Sequence, residues 1–276
     1  MQSISSKFAA QAIGLAVLAT LGSSAFAAST VWDLTAGCGT GSGANANNIN
    51  VMTCATPDLG LTLSGLSTGT GTVASPTAGT NFAATSVFNS GADTTNIAGG
   101  MGVRSTNDTA LAATGPSAID NVNGIDALLL TFGSKVKLTN LTIGWNATQN
   151  SGAPYTDSDL SLFAWTGSGA PVTPVAPGPI GGPSGLGSGW TLIGNFADVG
   201  VTGSLATNAT VFSSSWLVSA YSSAYGGGAG LDNFNDAFTL ATVTTVPEPG
   251  SLALLGAGLL GLLASKRRKP VATLAA

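Results

Sequence analysis

The chain has 276 residues, of which 8 are Lys or Arg, 12 are Asp or Glu and none is His, so its formal net charge is −4 at neutral pH. Most basic residues lie near the two ends, and segment 28–245 carries eleven aspartates against three basic side chains, a net charge of about −8. This acidic segment repels phosphate backbones, which excludes nucleic acid as a partner. Without His, and with Glu248 as its one Glu, the chain lacks the groups that most acid–base and metal-activated catalysts use, so we expect no enzyme.

The first 27 residues are typical of a secretory signal peptide. Lys7 provides a positive start, residues 8–21 are apolar, and Ala25 and Ala27 flank Phe26 in the small-residue pattern of a cleavage site. We predict that signal peptidase removes this segment and that the exported protein begins at Ala28.

The chain has two cysteines, Cys38 and Cys54, and both belong to the exported part, where thiols oxidise. They are predicted to form a disulfide, worth about 3 kcal/mol for a loop of this length in the chain-entropy model. A redox-active pair is the alternative, but such pairs usually have the spacing C-x-x-C, which Cys38 and Cys54 lack.

Between residues 28 and 245 the pattern predicts short strands separated by Gly, Asn, Asp and Pro. A turn is expected at Gly133-Ser134, and a bulge between Leu138 and Leu141, where the apolar period slips by one residue. The class predicted is all-β, a jelly-roll-like β-sandwich with long loops. The predicted strands are 31–34, 59–63, 127–132, 136–145, 160–165, 190–196, 216–221 and 238–243.

The Pro- and Gly-rich stretch 171–189 has the composition of a linker. A Trp-bearing strand precedes it and another follows it, and such strands are expected to be neighbours in one sheet. We therefore predict a long loop within one domain, with a linker between two domains as the alternative.

Three acidic clusters offer the hard oxygen ligands that Ca²⁺ accepts, although none has the EF-hand order. Turn capping by Asp and Asn side chains is the alternative explanation. Calcium is the one cofactor considered. The candidate ligands are Asp120, Asp126, Asp157, Asp159, Asp232 and Asp236.

Tryptophan side chains can stack on sugar rings where an indole face is exposed. Trp145 and Trp165 lie in apolar alternation and are assigned to the core, whereas Trp190 and Trp216 stand near predicted strand starts. The latter two are therefore the candidate glycan contacts.

The C-terminal region 246–269 combines three features in order. Val246, Pro247, Glu248 and Pro249 form a rigid segment that a helix cannot include. Residues 251–264 are an uncharged run that suits a short transmembrane helix. The run is followed by a basic cluster that is expected to stop transfer and leave the tail 270–276 cytoplasmic. This membrane-stop cluster consists of Lys266, Arg267, Arg268 and Lys269.

This order of Pro-Glu-Pro, short Gly/Leu-rich helix and Arg-rich cluster resembles the PEP-CTERM sorting signal of bacterial exopolysaccharide producers. The resemblance implies that a membrane enzyme called exosortase cuts at the motif. The precursor would then be anchored in the inner membrane, and the product would reach the cell surface or the extracellular matrix.

Motifs between Gly100 and Val243 resemble the exosortase-dependent surface proteins, among them Gly124-Ile125-Asp126-Ala127-Leu128 and Ser215-Trp216-Leu217-Val218-Ser219. The resemblance implies an exported surface or matrix protein and adds no catalytic residue. The function expected is a structural or adhesive role in a biofilm or exopolysaccharide matrix. A carbohydrate-binding module that uses exopolysaccharide, with or without calcium, is the alternative.

Overall fold

The structure is a computed structural model, and most of its described strands belong to one β-sheet. Sequence predictions that fall outside the described residues are the signal peptide with Ala25 and Ala27, most of the apolar run 251–264, the basic residues 266–269 and the tail 270–276. The described residues are 28–36, 38, 51–54, 60–68, 71–72, 75–76, 82–89, 99–105, 118–121, 124–146, 157–173, 186–201, 203–232, 236–250, 258 and 260–261.

Nearly all regular structure in these residues is extended. One 3-10 turn, Ser223–Tyr225, precedes the last strand. The strands are β1 Thr30–Asp33, β2 Val51–Cys54, β3 Leu61–Ser67, β4 Gly71–Thr72, β5 Ser75–Pro76, β6 Ala83–Asn89, β7 Met101–Arg104, β8 Ile119–Asp120, β9 Asp126–Asn146, β10 Leu160–Trp165, β11 Trp190–Phe196, β12 Leu205–Ala206, β13 Ser213–Ala220 and β14 Ala237–Pro247.

Hydrogen bonding joins twelve described strands into one sheet, while β4 and β5 form a separate ribbon. Strands β14, β7, β6, β3 and β9 pair in that order, and β9 pairs back onto β14, so these five close into a barrel. The all-β prediction is confirmed. The predicted jelly-roll-like sandwich is replaced by a closed barrel, because the 21-residue β9 pairs with both β3 and β14.

The long strand β9 overturns one local prediction. Its first part pairs with β3 up to Phe132, and its second part pairs with β14 from Val136 onward. The turn predicted at Gly133-Ser134 was wrong, because strand pairing on both sides of this dipeptide keeps the backbone extended. The bulge predicted between Leu138 and Leu141 is confirmed by the shift in register between β9 and β14 at that point.

The remaining strands extend the barrel wall. Strands β13, β10 and β11 continue the sheet beyond β9, and β10 pairs with β11 from Leu160 opposite Phe196 to Trp165 opposite Trp190. Stretch 171–189, of which residues 174–185 lie outside the described residues, therefore joins two neighbouring antiparallel strands of one sheet. The predicted disulfide between Cys38 and Cys54 is also present.

Apolar side chains from the barrel strands fill its interior. Trp32 of β1 packs edge-on against Phe132 of β9, with ring centroids 5.6 Å apart. A second, smaller apolar cluster lies on the extension, where Phe163 contacts Tyr225 and Trp165 contacts Trp190. Apolar residues that alternate with polar ones along the strands thus supply the side chains of both cores.

Close approach of the backbones at the barrel closure requires glycine at two positions. A Cβ atom on Gly144 of β9 would overlap the carbonyl oxygen of Gly99, and one on Gly65 of β3 would lie 2.8 Å from the carbonyl oxygen of Ser86. A side chain at either position would push adjacent backbone segments apart.

Residues Ser29–Pro247 form one compact unit, and residues 1–28 with 248–276 form another. In the second unit, Gly258, Leu260 and Gly261 are helical. Among the residues that the structure describes, no helix has both the length and the apolar character needed to cross a membrane.

We expect Gly144→Ala to destabilise the barrel by about 2 kcal/mol, because the added methyl group has to displace the Gly99 backbone. For a domain of this size, that lowers the thermal unfolding midpoint by roughly 5 °C, measurable by circular dichroism. In the matched control Gly133→Ala, the added Cβ meets its nearest neighbour at 3.5 Å, so little change is expected. Equal effects of the two substitutions would contradict the close approach of the Gly99 backbone to Gly144.

Candidate metal centre

Four of the predicted aspartates, Asp157, Asp159, Asp232 and Asp236, come together at one end of the sheet. One oxygen from each carboxylate lies within 4.8 Å of the others. In an antiparallel pair, the first residue of one strand lies beside the last residue of the other. The residues just before β10 therefore lie close to those just after β11. Asp157, before β10, also forms a bridge with Asp236, before β14. Strand order therefore gathers side chains that are far apart in sequence.

Both carboxylate oxygens of Asp236 accept hydrogen bonds. Its Oδ1 accepts a hydrogen bond from the backbone N–H of Asp159 at 2.7 Å, and its Oδ2 accepts one from Nδ2 of Asn121. The Asn121 side chain also accepts the backbone N–H of Asp236 at 3.1 Å and donates to the carbonyl of Tyr221 at 2.9 Å. Asn121, which directly follows β8, therefore fixes the orientation of this carboxylate.

Asp159 connects two loops to the start of β10. Its Oδ1 accepts the backbone N–H of Asp198 at 2.8 Å, and its Oδ2 accepts that of Asp232 at 2.9 Å. Asp157 accepts the backbone N–H of Ser158 at 2.7 Å and forms an isolated bridge with Asp236. Each of these three carboxylates thus accepts a hydrogen bond from at least one backbone N–H group that lies outside the regular strand pairing.

Burial dominates the electrostatics of this acidic cluster. It raises the pKa of Asp236 to about 8 and that of Asp157 to about 6, and it also raises the pKa of Asp159. Repulsion from neighbouring carboxylates contributes to these raised pKa values, and the hydrogen bonds from backbone N–H groups and from Asn121 partly offset both effects. The cluster therefore favours protons or a cation.

The geometry suits a hard cation. Ca²⁺ takes six to eight oxygens at roughly 2.3–2.6 Å, so ligands on opposite sides of the ion lie about 5 Å apart. The spacing of the four carboxylate oxygens falls within that limit, and Asp232 is exposed while the other three are buried. Ca²⁺ would supply charge neutralisation, and these four residues are the ones that would hold it.

The sequence assigned two further aspartates to the same role. Asp120 lies on β8 and Asp126 begins β9, both buried and outside the group of four. Asp198 was not among the predicted ligands, yet its charge acts on both Asp157 and Asp159. Its signal in the sequence was its place two residues after the predicted strand 190–196. In the structure, its backbone φ is 51°, which Asp and Asn tolerate better than most residues.

The glycan contacts predicted at Trp190 and Trp216 were wrong, because both indoles are buried. Trp216 is 0% exposed and donates its Nε1 hydrogen to the carbonyl of Ser213 at 3.1 Å. Trp190 is 5% exposed, lies edge-on to Trp165, and donates to the carbonyl of Val172 at 3.1 Å. Neither ring presents a face on which a sugar could stack.

The predicted sorting segment begins inside the fold. Val246 and Pro247 are the last residues of β14 and pair with Lys137 and Val136 of β9. Glu248, the next residue, is exposed. The expectation of an extended segment is met for these residues, but Val246 and Pro247 form part of the sheet.

We expect the metal-free domain to lose stability as pH rises from about 5 to about 9. Asp157 and Asp236 have raised pKa values, so in this range the folded state holds protons that the unfolded chain has released, and higher pH favours unfolding. Asp33, whose pKa is lowered mainly by the Thr35 hydroxyl, has the opposite effect but titrates below its ordinary value of 3.8.

Thermal unfolding in EDTA across that range measures this effect. In Asp236→Asn the side chain cannot ionise, so the dependence above about pH 7 should shrink. An unfolding midpoint that rises steadily from the lowest to the highest pH would contradict the prediction.

A family profile described as the PEP-CTERM protein-sorting motif matches residues 245–269. No curated protein and no solved structure matches the chain. The matched segment contains the Pro-Glu-Pro sequence, the apolar run and the basic cluster. The chain therefore carries the PEP-CTERM sorting motif and is, by that motif, an exported protein that an exosortase processes and directs to the cell surface.

Proposed function

We propose that this protein is a non-enzymatic structural or adhesive component of the cell surface or of an exopolysaccharide matrix. The observation that carries the proposal is the sorting motif, which begins in the last three residues of the final strand of a folded all-β domain. The acidic composition supports a solvated extracellular role, and the lack of His supports a role without catalysis.

The route to that location has two processing steps. Signal peptidase cuts after Ala27, and the apolar run 251–264 then holds the precursor in the inner membrane with the basic cluster 266–269 on the cytoplasmic side. Exosortase cleavage removes this anchor. The apolar, uncharged composition of the run and the four basic residues after it support this order of events.

The intact mass of the protein recovered outside the cell tests the route. We expect a chain that begins at Ala28 and ends between Pro247 and Gly250, because the anchor has to be removed for release. In a Glu248→Ala, Pro249→Ala variant, the motif is lost and the uncleaved form should stay with the cells. An extracellular mass that retains residues 266–276 would contradict cleavage and would indicate a permanently tethered protein.

A calcium-dependent carbohydrate-binding module is the second candidate. The observation that favours it is the acidic cluster, since four convergent carboxylates are a ligand set for Ca²⁺. The exposed Asp232 is the member that solvent or a sugar hydroxyl could approach. Under this candidate the polysaccharide is bound through the ion and not through aromatic stacking.

Retention of the domain on the producer's polysaccharide, with CaCl₂ or with EDTA, tests this candidate. We expect Ca²⁺ to raise the thermal midpoint by several degrees, because it neutralises buried charge. In Asp232→Asn, the same rise in the midpoint should need at least about ten times more calcium. Asp33→Asn is the matched control, since Asp33 is an exposed aspartate outside the cluster. Retention that is equal with calcium and with EDTA would rule this candidate out.

A further inference from the structure

The matched sorting motif and the folded sheet overlap by three residues. The match begins at Thr245, whereas β14 continues to Pro247. The first three residues of the matched segment are therefore also the end of a paired strand.

Thr245 is held from both sides. It pairs with Thr30 of β1 and with Leu138 of β9, and it is fully buried. Its hydroxyl accepts a hydrogen bond from Nε1 of Trp32 at 3.0 Å, and that indole is itself buried in the core. Trp32 thus holds the motif's first residue in the sheet.

The hold weakens toward the end of the strand. Val246 and Pro247 are half-buried and pair with Lys137 and Val136 of β9, one and two residues past the last pair between β14 and β1. Glu248 and Gly250 are exposed. The last two residue pairs between β14 and β9 are therefore the part of the strand that opens most readily.

Proteases bind their substrates as extended chains and need access to backbone groups and side chains on the residues they recognise. Thr245 offers neither, because its backbone is paired on both sides and its side chain is enclosed. Recognition of the whole motif therefore requires the end of β14 to leave the sheet.

We propose that release of Thr245–Pro247 from β1 and β9 gates exosortase cleavage, with Trp32 as the residue that holds the gate closed. This proposal rests on the exosortase processing described above. Cleavage of the folded protein then proceeds at a rate set by the fraction of molecules in which the strand end is open.

A spacer variant tests the gate. Gly-Ser-Gly-Ser-Gly followed by a second copy of Thr-Val-Pro is inserted between Pro247 and Glu248, so that β14 stays complete and an entire motif lies outside the sheet. We expect the precursor to be converted at least about tenfold faster than the wild type in a pulse–chase experiment, because strand opening is no longer needed. The matched control carries an insert of the same length in the exposed loop between Gly227 and Gly228, which leaves the sorting motif intact, and its rate should equal that of the wild type.

A second pair of variants tests the role of Trp32. Trp32→Phe keeps an aromatic ring against Phe132 but loses the hydrogen bond to Thr245, so cleavage should accelerate severalfold. Trp216→Phe is the control, since it removes a similar buried indole hydrogen bond, to Ser213, from β13. Both substitutions destabilise the domain, but only the first should change the cleavage rate.

Equal conversion rates in the wild type and both spacer variants would overturn the gate and would mean that the enzyme reads the segment from Glu248 onward. Absence of conversion in every variant, in cells that contain exosortase, would instead refute the exosortase processing itself. The mass of the released C-terminus identifies the bond that is cut in each case.

Discussion

The pairing of β14 with β9 is the constraint on which the rest of the structure depends. The ladder runs from Phe238 opposite Asn146 to Pro247 opposite Val136, and it closes the barrel. Because Asp236 directly precedes β14 and the sorting motif begins in its last three residues, the same strand separates the acidic cluster from the processing end. Its 11 residues span at most roughly 36 Å, so the two features belong to opposite ends of one ladder.

The acidic cluster has a structural role that does not depend on what it binds. Where strands end, backbone N–H groups lose their ladder partners, and here the carboxylates of Asp159 and Asp236 accept them. These bonds connect the starts of β10 and β14 to the loops after β11 and after the 3-10 turn. The cost of this arrangement is unneutralised buried charge, which a proton or a divalent cation relieves.

Local patterns predicted the features that depend on neighbours in sequence. Alternation placed most of the strands, and the slip after Leu138 predicted the bulge. Features set by distant partners could not be predicted in this way: the Gly133-Ser134 dipeptide reads as a turn until pairing with β3 and β14 is known. Likewise, the burial of Trp216 and the approach of Asp198 to the cluster depend on strand order, which the sequence does not display.

The contact between Trp32 and Thr245 joins residues 213 positions apart. Under the proposed route, in which the N-terminal end is exported first, β1 emerges long before the strand that covers it. Until Pro247 has crossed the membrane, the indole of Trp32 has no hydrogen-bond acceptor on β14 and the edge of β1 has no partner strand. Folding of the barrel is therefore completed by the last residues to arrive, and a translocating chain requires protection from aggregation until then.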